Sequence, residues 1–280
     1  MEGMKVISVI ADMIGYVQKS RVSAQVRQSH LAKAGKQCDV TEGVMKKAKE
    51  FEDWLNEQLA VQVKAHPAYL WFVKIKGIGN VNIGKIIAEI DIRKAKTISA
   101  LWRFAGFAVG PDGHAERRKK GEKSHYNQTL KTMVWRACKS LIRVRGPYYD
   151  FYAAEKAKLR RRFEAEGKEI VPSAKLPKIN GKRSENDQVV ALGHIEMMAF
   201  RKMAKLFLAH LWLKWREAEG LPISMPYSIG IQGHSDFIGP DEMVGEGKSP
   251  KKAVLEEISD FEREIEEGLA TEMFLKKDED

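Results

Sequence analysis

Two glycines bracket one isoleucine at Gly77-Ile78-Gly79, and an apolar stripe at helical spacing begins at once after them. Glycine tolerates positive φ, so the bland reading is a turn between two helices. The second glycine supports a sharper one. A stretch of backbone without side chains, set just before a helix start, points its amide N–H groups outward, where the helix dipole adds partial positive charge. That arrangement can hold a phosphate oxygen. Gly77, Ile78, Gly79, Asn80 and Lys85 are the candidates for it. A dinucleotide-binding fingerprint would need a strand before the glycines and a third glycine at position 82, which holds Asn82; the next glycine is Gly84. A second cluster lies downstream, where Arg117, Arg118, Lys119, Lys120 and Lys123 precede Ser124 and Asn127. Bases beside small polar residues make up the set that contacts phosphates and sugars. From Glu116 to Arg162 there are fifteen bases against four acids, a net of +11.

Other constellations carry less. His194, Glu196, His210 and His234 suggest a metal site, but on one continuous helix His194 and His210 fall about 160° apart and cannot share an ion. His194, following Gly193, can instead cap a helix start, and His234 lies in a loop. No metal, cofactor or catalytic residue is assigned. Trp71, Trp102, Trp135, Trp212 and Trp215 sit in apolar stripes and read as core. Tyr148, Tyr149 and Tyr152 could stack on bases or pack at a helix start. Cys38 and Cys138 are too far apart and too few for a disulfide framework or a zinc site.

The elements that must position these residues read as helices. Val6, Val9, Ile10, Met13 and Val17 fall at 0, 3, 4, 7 and 11, a stripe of one amphipathic helix. A strand over the same β-branched residues would place Asp12 as the first carboxylate of an RNase H-like nuclease, but too few residues follow for such a sheet. Ile83, Ile86, Ile87 and Ile90 form a second stripe. Leu130, Met133, Val134, Ala137, Cys138 and Leu141 form a third, ended by Gly146-Pro147. The expected fold is all-α. Its expected divisions are an N-terminal helical region (1–65), a DNA-binding domain (66–167), an exposed linker (168–188), a C-terminal helical region (189–245) and an acidic tail helix (246–280).

The net charge is +10 over 280 residues. Residues 256–280 hold eleven acids and three bases, a net of −8, which leaves +18 on residues 1–255. A polyanion is therefore the first partner to consider, nucleic acid before an anionic membrane. No stretch reaches the ~18 apolar residues of a membrane span and no signal peptide is recognisable, so a soluble, cytoplasmic, nucleoid-associated protein is expected. Structured RNA and a second copy of the chain are further candidate partners.

Ile75, Gly77, Ile78, Gly79 and Ile83, with Lys85 nearby, resemble the helix-hairpin-helix motif of DNA-binding proteins. The isoleucine would anchor the hairpin and the glycine amides would face the DNA backbone. Over residues 70–145 the order of pieces resembles the C-terminal domain of insertion-sequence transposases of the IS-one-ten and IS-one-sixteen group. Gly77 to Ile92 match its hairpin and the "AEIDI" turn, Leu101 to Gly106 its next helix, and Arg117 to Leu130 its basic loop. That family carries an RNase H-like domain with four acids, for which this chain is expected to lack room. It also carries a nucleophilic serine in a Ser-Gly-Gly stretch, where this chain has Gly113 and His114; the nearest serines are Ser99 and Ser124. The resemblance thus implies a transposase-related protein of a mobile element that grips DNA without its own catalytic centre. An active transposase or nuclease, and an RNA-binding or scaffold protein, are the alternatives.

Overall fold

The computed structural model describes residues 2–110, 121, 124–179, 181–223 and 238–244. The basic residues Arg117, Arg118, Lys119, Lys120 and Lys123, together with Gly113, His114, His234 and the expected acidic tail helix, lie outside the described residues.

The architecture is all-α, as the stripes predict. Helices α1 (Glu2–Lys33) and α2 (Asp39–Lys64) form a hairpin. They are followed by α3 (Tyr69–Phe72), α4 (Asn80–Glu89), α5 (Ile98–Phe104), α6 (Gln128–Val144), α7 (Pro147–Ala165) and α8 (Leu192–Ala218). The chain divides into two compact units. The first comprises residues 1–140 and 208–237, the second residues 141–207 and 238–280.

In the first unit, α4 packs against both arms of the α1–α2 hairpin. Its stripe of Ile83, Ile86, Ile87 and Ile90 is buried, as are Leu55, Leu59 and Val63 of α2. A Cβ at Gly84 would lie 2.8 Å from Leu59 Cδ1, so the absent side chain lets α2 and α4 approach closely. A polar clasp joins the hairpin: Arg21 and Gln18 of α1 donate to Glu52 of α2 at 2.7 and 2.9 Å. Burial alone would raise the Glu52 carboxyl pKa. The Arg21 and Gln18 hydrogen bonds outweigh it and hold that carboxyl below its usual range.

The face of α1 differs from the expected one. Ile7, Ala11 and Ile14 are buried, whereas Val6, Val9 and Met13 are exposed. Residues 6–14 are apolar almost all round, so two stripes compete, and the one carrying the small Ala11 packs inward. Trp135 is also a correction. It stands 43% exposed on α6, with the Lys139 ammonium 5.5 Å from its ring.

The last part of α8 belongs to the first unit and locks the segment between α4 and α5. Trp212 Nε1–H donates to the Ala95 carbonyl at 2.7 Å. Arg216 donates through Nη1 to the carbonyls of Ile92 and Ala95, and through Nε to that of Pro222. The Arg216 guanidinium also lies 5.2 Å from the Trp212 ring. His66 packs edge-on against Trp215 at 4.6 Å between ring centroids, and its Nδ1 accepts the Ala68 N–H at 3.2 Å. Burial, countered in part by the Glu219 charge, lowers its pKa from 6.5 to about 4.

In the second unit α7 packs with the first part of α8. Leu159, Phe163, Val190, Ile195 and Ala199 form one cluster, and Tyr148 meets Phe207 edge-on at 5.9 Å. Lys156, buried, pairs with Glu196 at 2.9 Å. The expected linker carries short strands: β1 (Glu169–Val171) pairs in parallel with β4 (Val189–Ala191), and β2 (Lys178–Ile179) pairs antiparallel with β3 (Lys182–Arg183). Asn186 Oδ1 accepts the N–H groups of Gln188 and Val189 and so turns the chain into β4.

Gly106 closes α5 with φ +72°, and a Cβ there would sit 2.6 Å from Tyr126 Cδ2 and 3.0 Å from Lys131 Cδ. Gly106→Ala should therefore cost about 2–4 kcal/mol, from left-handed backbone strain plus overpacking, measured by urea denaturation. His66 is stabilising in its neutral form. Its lowered folded pKa means that this contribution is complete above pH 6.5 and is lost as pH falls from 6.5 toward about 4. The stability gap between the wild type and His66→Leu should shrink by up to about 3 kcal/mol between neutral pH and the lower end of that window, the size of the shift in free energy. A gap independent of pH would contradict this.

Candidate nucleic-acid interface

Helix α3 lasts only four residues. Past it the chain continues in turns, Lys74 N–H to the Trp71 carbonyl at 3.2 Å and Ile75 N–H to that of Phe72 at 3.0 Å. Ile75 and Ile78 both point into the core and are 3% and 6% exposed. Between them, Gly77 takes φ +99°, which an L side chain rarely adopts. Burying two isoleucines three residues apart across so short a bend demands that reversal. It turns Gly79 outward.

Gly79 is the N-cap of α4, with extended backbone (φ −83°, ψ 165°). It is exposed, and nothing lies within 4 Å of where its Cβ would be. Its carbonyl accepts the N–H groups of Asn82 and Ile83 at 3.0 and 3.1 Å. The amides of Asn80 and Val81, at the first two helical positions, have no carbonyl within the helix to receive them, and Gly79 has no side chain to cap them. A ten-residue helix thus presents its partial positive end at an exposed surface. Lys74 and Lys76 flank the buried Ile75 and are exposed beside this bend. Their alternation around Ile75 was the sequence signal that they belong with the glycines.

Gly77, Ile78, Gly79 and Asn80 are consecutive and form this surface; Lys85 stands elsewhere on α4. It lines a groove of about 550 Å³ with Asp12, Tyr16 and Lys19 of α1, Glu89 of α4 and Arg136 of α6. Partial burial, and then the Arg136 charge, lower the Lys85 pKa. Sequence spacing alone could not reveal Lys19 and Arg136 as neighbours of Lys85, because three separate helices supply them.

Ser124 and Asn127 hold the start of α6. Ser124 Oγ donates to the Tyr126 carbonyl at 2.9 Å and accepts the Tyr126 N–H at 3.4 Å. Asn127 Oδ1 accepts the Leu130 N–H at 2.9 Å, in the manner of a helix N-cap, while its Nδ2 donates to Glu89 Oε2 at 2.6 Å. Its backbone N–H donates to the Phe104 carbonyl at 2.8 Å. Asn127 therefore ties the start of α6 to the ends of α4 and α5. The Lys131 ammonium lies 4.2 Å from the Tyr126 ring, over the same junction. These contacts fix the point from which the basic residues depart in sequence.

Among the described residues, His194 and His210 of α8 do not converge. α8 is continuous from Leu192 to Ala218, His194 Nδ1 pairs with Glu185 Oε2 at 2.7 Å, Glu196 pairs with Lys156, and His210 is buried. Among the described residues no group of three His, Cys, Asp or Glu side chains could hold a metal ion. Cys138 is buried, and burial pushes its thiol pKa up. No helix among the described residues is long and apolar enough to cross a membrane.

No curated protein and no solved structure matches the chain. Residues 72–153 match the family model of the Transposase IS116/IS110/IS902 family, a span that runs from the end of α3 through the glycine bend, α4, α5 and α6 into α7. This segment is therefore similar to a domain of that transposase family.

Proposed function

We propose that the chain binds DNA through its phosphates, with little dependence on base sequence. The glycine bend and α4 start form one contact and the basic segment 117–123 a second. The observation that carries this reading is the exposed Gly79 cap, where the start of α4 leaves the amides of Asn80 and Val81 without an acceptor inside the helix while Ile75 and Ile78 hold the bend in the core. Lys74 and Lys76 add charge beside it. On this reading the bend has the role of a helix-hairpin-helix, with α3 and the turns after it as a shortened first arm. Ser124 and Asn127 serve by fixing the junction from which the basic residues reach the DNA. The match to a transposase family favours DNA over RNA as the polyanion.

We further propose that the chain supplies grip rather than strand cleavage. A covalent cut needs an activated nucleophile. Ser124 is engaged with Tyr126 in a turn, and Ser99 is exposed on α5. Supercoiled plasmid incubated with the protein and magnesium should remain uncut; nicking would establish the enzyme reading instead.

Affinity for duplex DNA should fall steeply with salt. About six phosphate contacts would give a loss on the order of 10³-fold between 50 and 200 mM. Lys119→Glu with Lys120→Glu should weaken binding to unrelated duplexes alike and flatten the salt slope. Gly79→Asp should lower affinity roughly tenfold, because its carboxylate would occupy the cap and repel phosphate. Fluorescence anisotropy with labelled duplex, branched and single-stranded DNA, and with a structured RNA competitor, reads all three. A shallow salt slope, or RNA outcompeting duplex DNA, would overturn the proposal.

A further inference from the structure

Between α7 and α8 the second unit carries a ribbon of two short strands that the contacts above do not use. β2 and β3 pair antiparallel, with Lys178 opposite Arg183 and Ile179 opposite Lys182. Asn180-Gly181 joins them in sequence as a two-residue turn, and Gly181 takes the positive φ, +74°, that such a turn needs. One pair further down, the Ser184 N–H donates to the Pro177 carbonyl at 3.0 Å. Hydrogen-bonded and non-hydrogen-bonded pairs alternate along an antiparallel ladder, so Lys178 and Arg183 form a non-hydrogen-bonded pair, with Cα atoms about 4.5 Å apart. Residues 175–183 hold four bases and no acid. Lys178 and Arg183 are exposed, and among the described residues neither has an acid partner. The next acid in sequence, Glu185, is engaged elsewhere: its Oε1 accepts the Ala191 N–H at 2.8 Å and its Oε2 meets His194 at 2.7 Å. Like charges directly opposite destabilise a ribbon, and one with so few residues per strand has little to offset that. Lysine on an exposed edge also guards against strand pairing. An acid at position 178 or 183 would guard equally and would pair with the base across from it, so edge protection does not account for two cations.

We propose that this ribbon is a further duplex-DNA contact, which enters the major groove and meets backbone phosphates with Lys178 and Arg183. An anionic oxygen placed between the two cations replaces their mutual repulsion with attraction to a shared partner. Its strands stand about 4.8 Å apart. A two-stranded ribbon fits the major groove of DNA, about 12 Å wide, and not the minor groove, at about 6 Å. The major groove of duplex RNA is deep and narrow and excludes it. Duplex DNA is therefore the occupant that the ribbon fits. This contact presupposes the DNA binding proposed above and adds to it on the second unit, outside the segment that matches the transposase family.

The test is fluorescence anisotropy of the full chain on a labelled duplex across a salt titration. Lys178→Ala with Arg183→Ala removes two phosphate contacts and should flatten the slope of log affinity against log salt by about 1.8. Between about 50 and 200 mM the wild type should then lose roughly tenfold more affinity than the variant. Lys178→Glu sets opposite charges across the ribbon. It should leave the urea midpoint unchanged or raised while lowering affinity, which separates a lost contact from a lost fold. Methyl green, which occupies the major groove, should abolish the difference between the wild type and the double variant, and distamycin, which occupies the minor groove, should preserve it. Ribbon variants that bind as the wild type does, while Lys119→Glu with Lys120→Glu weakens binding, would overturn the ribbon contact and leave the DNA reading in place. A wild type that fails to bind duplex DNA would overturn both. A difference abolished by distamycin and not by methyl green would overturn the assignment to the major groove.

Discussion

Burial of the isoleucine stripe of α4 is the constraint on which the rest of the first unit depends. Ile83, Ile86, Ile87 and Ile90 fix the rotation of the helix about its axis, and Gly84 fixes how near it comes to α2. With rotation and depth set, the helix start has only one direction open to it. Ile75 and Ile78 then anchor the preceding bend, so that Gly79 stands exposed at the helix start. The same burial leaves Lys85 and Glu89 at the edge of α4, where one lines the groove with α1 and α6 and the other receives Asn127. Apolar packing thereby decides where each polar group stands.

Two buried charges of the unit, Glu52 and Arg216, have a structural use. Glu52 is buried because Arg21 and Gln18 reach it from the facing helix. Arg216 is buried because backbone carbonyls at Ile92, Ala95 and Pro222 surround it. In both cases a charge sits where a hydrophobic residue would pack, and several directed hydrogen bonds offset the loss of water. Such bonds give a helix pair one register instead of several that bury similar area.

The helices were legible wherever one face alone was apolar. The α4 and α6 stripes could be read directly because polar residues occupy the other positions. The inward face of α1 could not, because its first turns are apolar on both sides and only the partner helix selects between them. That Val40, Val44, Phe51, Trp54 and Val61 of α2 are exposed could not be read for a related reason: apolar spacing reports an apolar face without saying what buries it. The strands between α7 and α8 are three residues or fewer, too short for alternation to register. At the candidate site the glycine bend was legible from residue type, since the reversal at Gly77 needs a residue without a side chain. The structural engagement of Asn127 and the company Lys85 keeps were not, as both arise from contacts between distant parts of the chain.

The hydrogen bonds from Trp212 and Arg216 to the carbonyls near Ala95 span 117 to 124 positions of sequence. A chain emerging from the ribosome therefore displays the pocket for these side chains long before the side chains arrive. Until then the Ile92 and Ala95 carbonyls must be satisfied by water, and the apolar surface that Trp212 and Trp215 will cover is left open. The first unit begins to assemble early yet is sealed late, so this interval is when the nascent protein is most exposed to mispairing and to chaperones that recognise apolar surface.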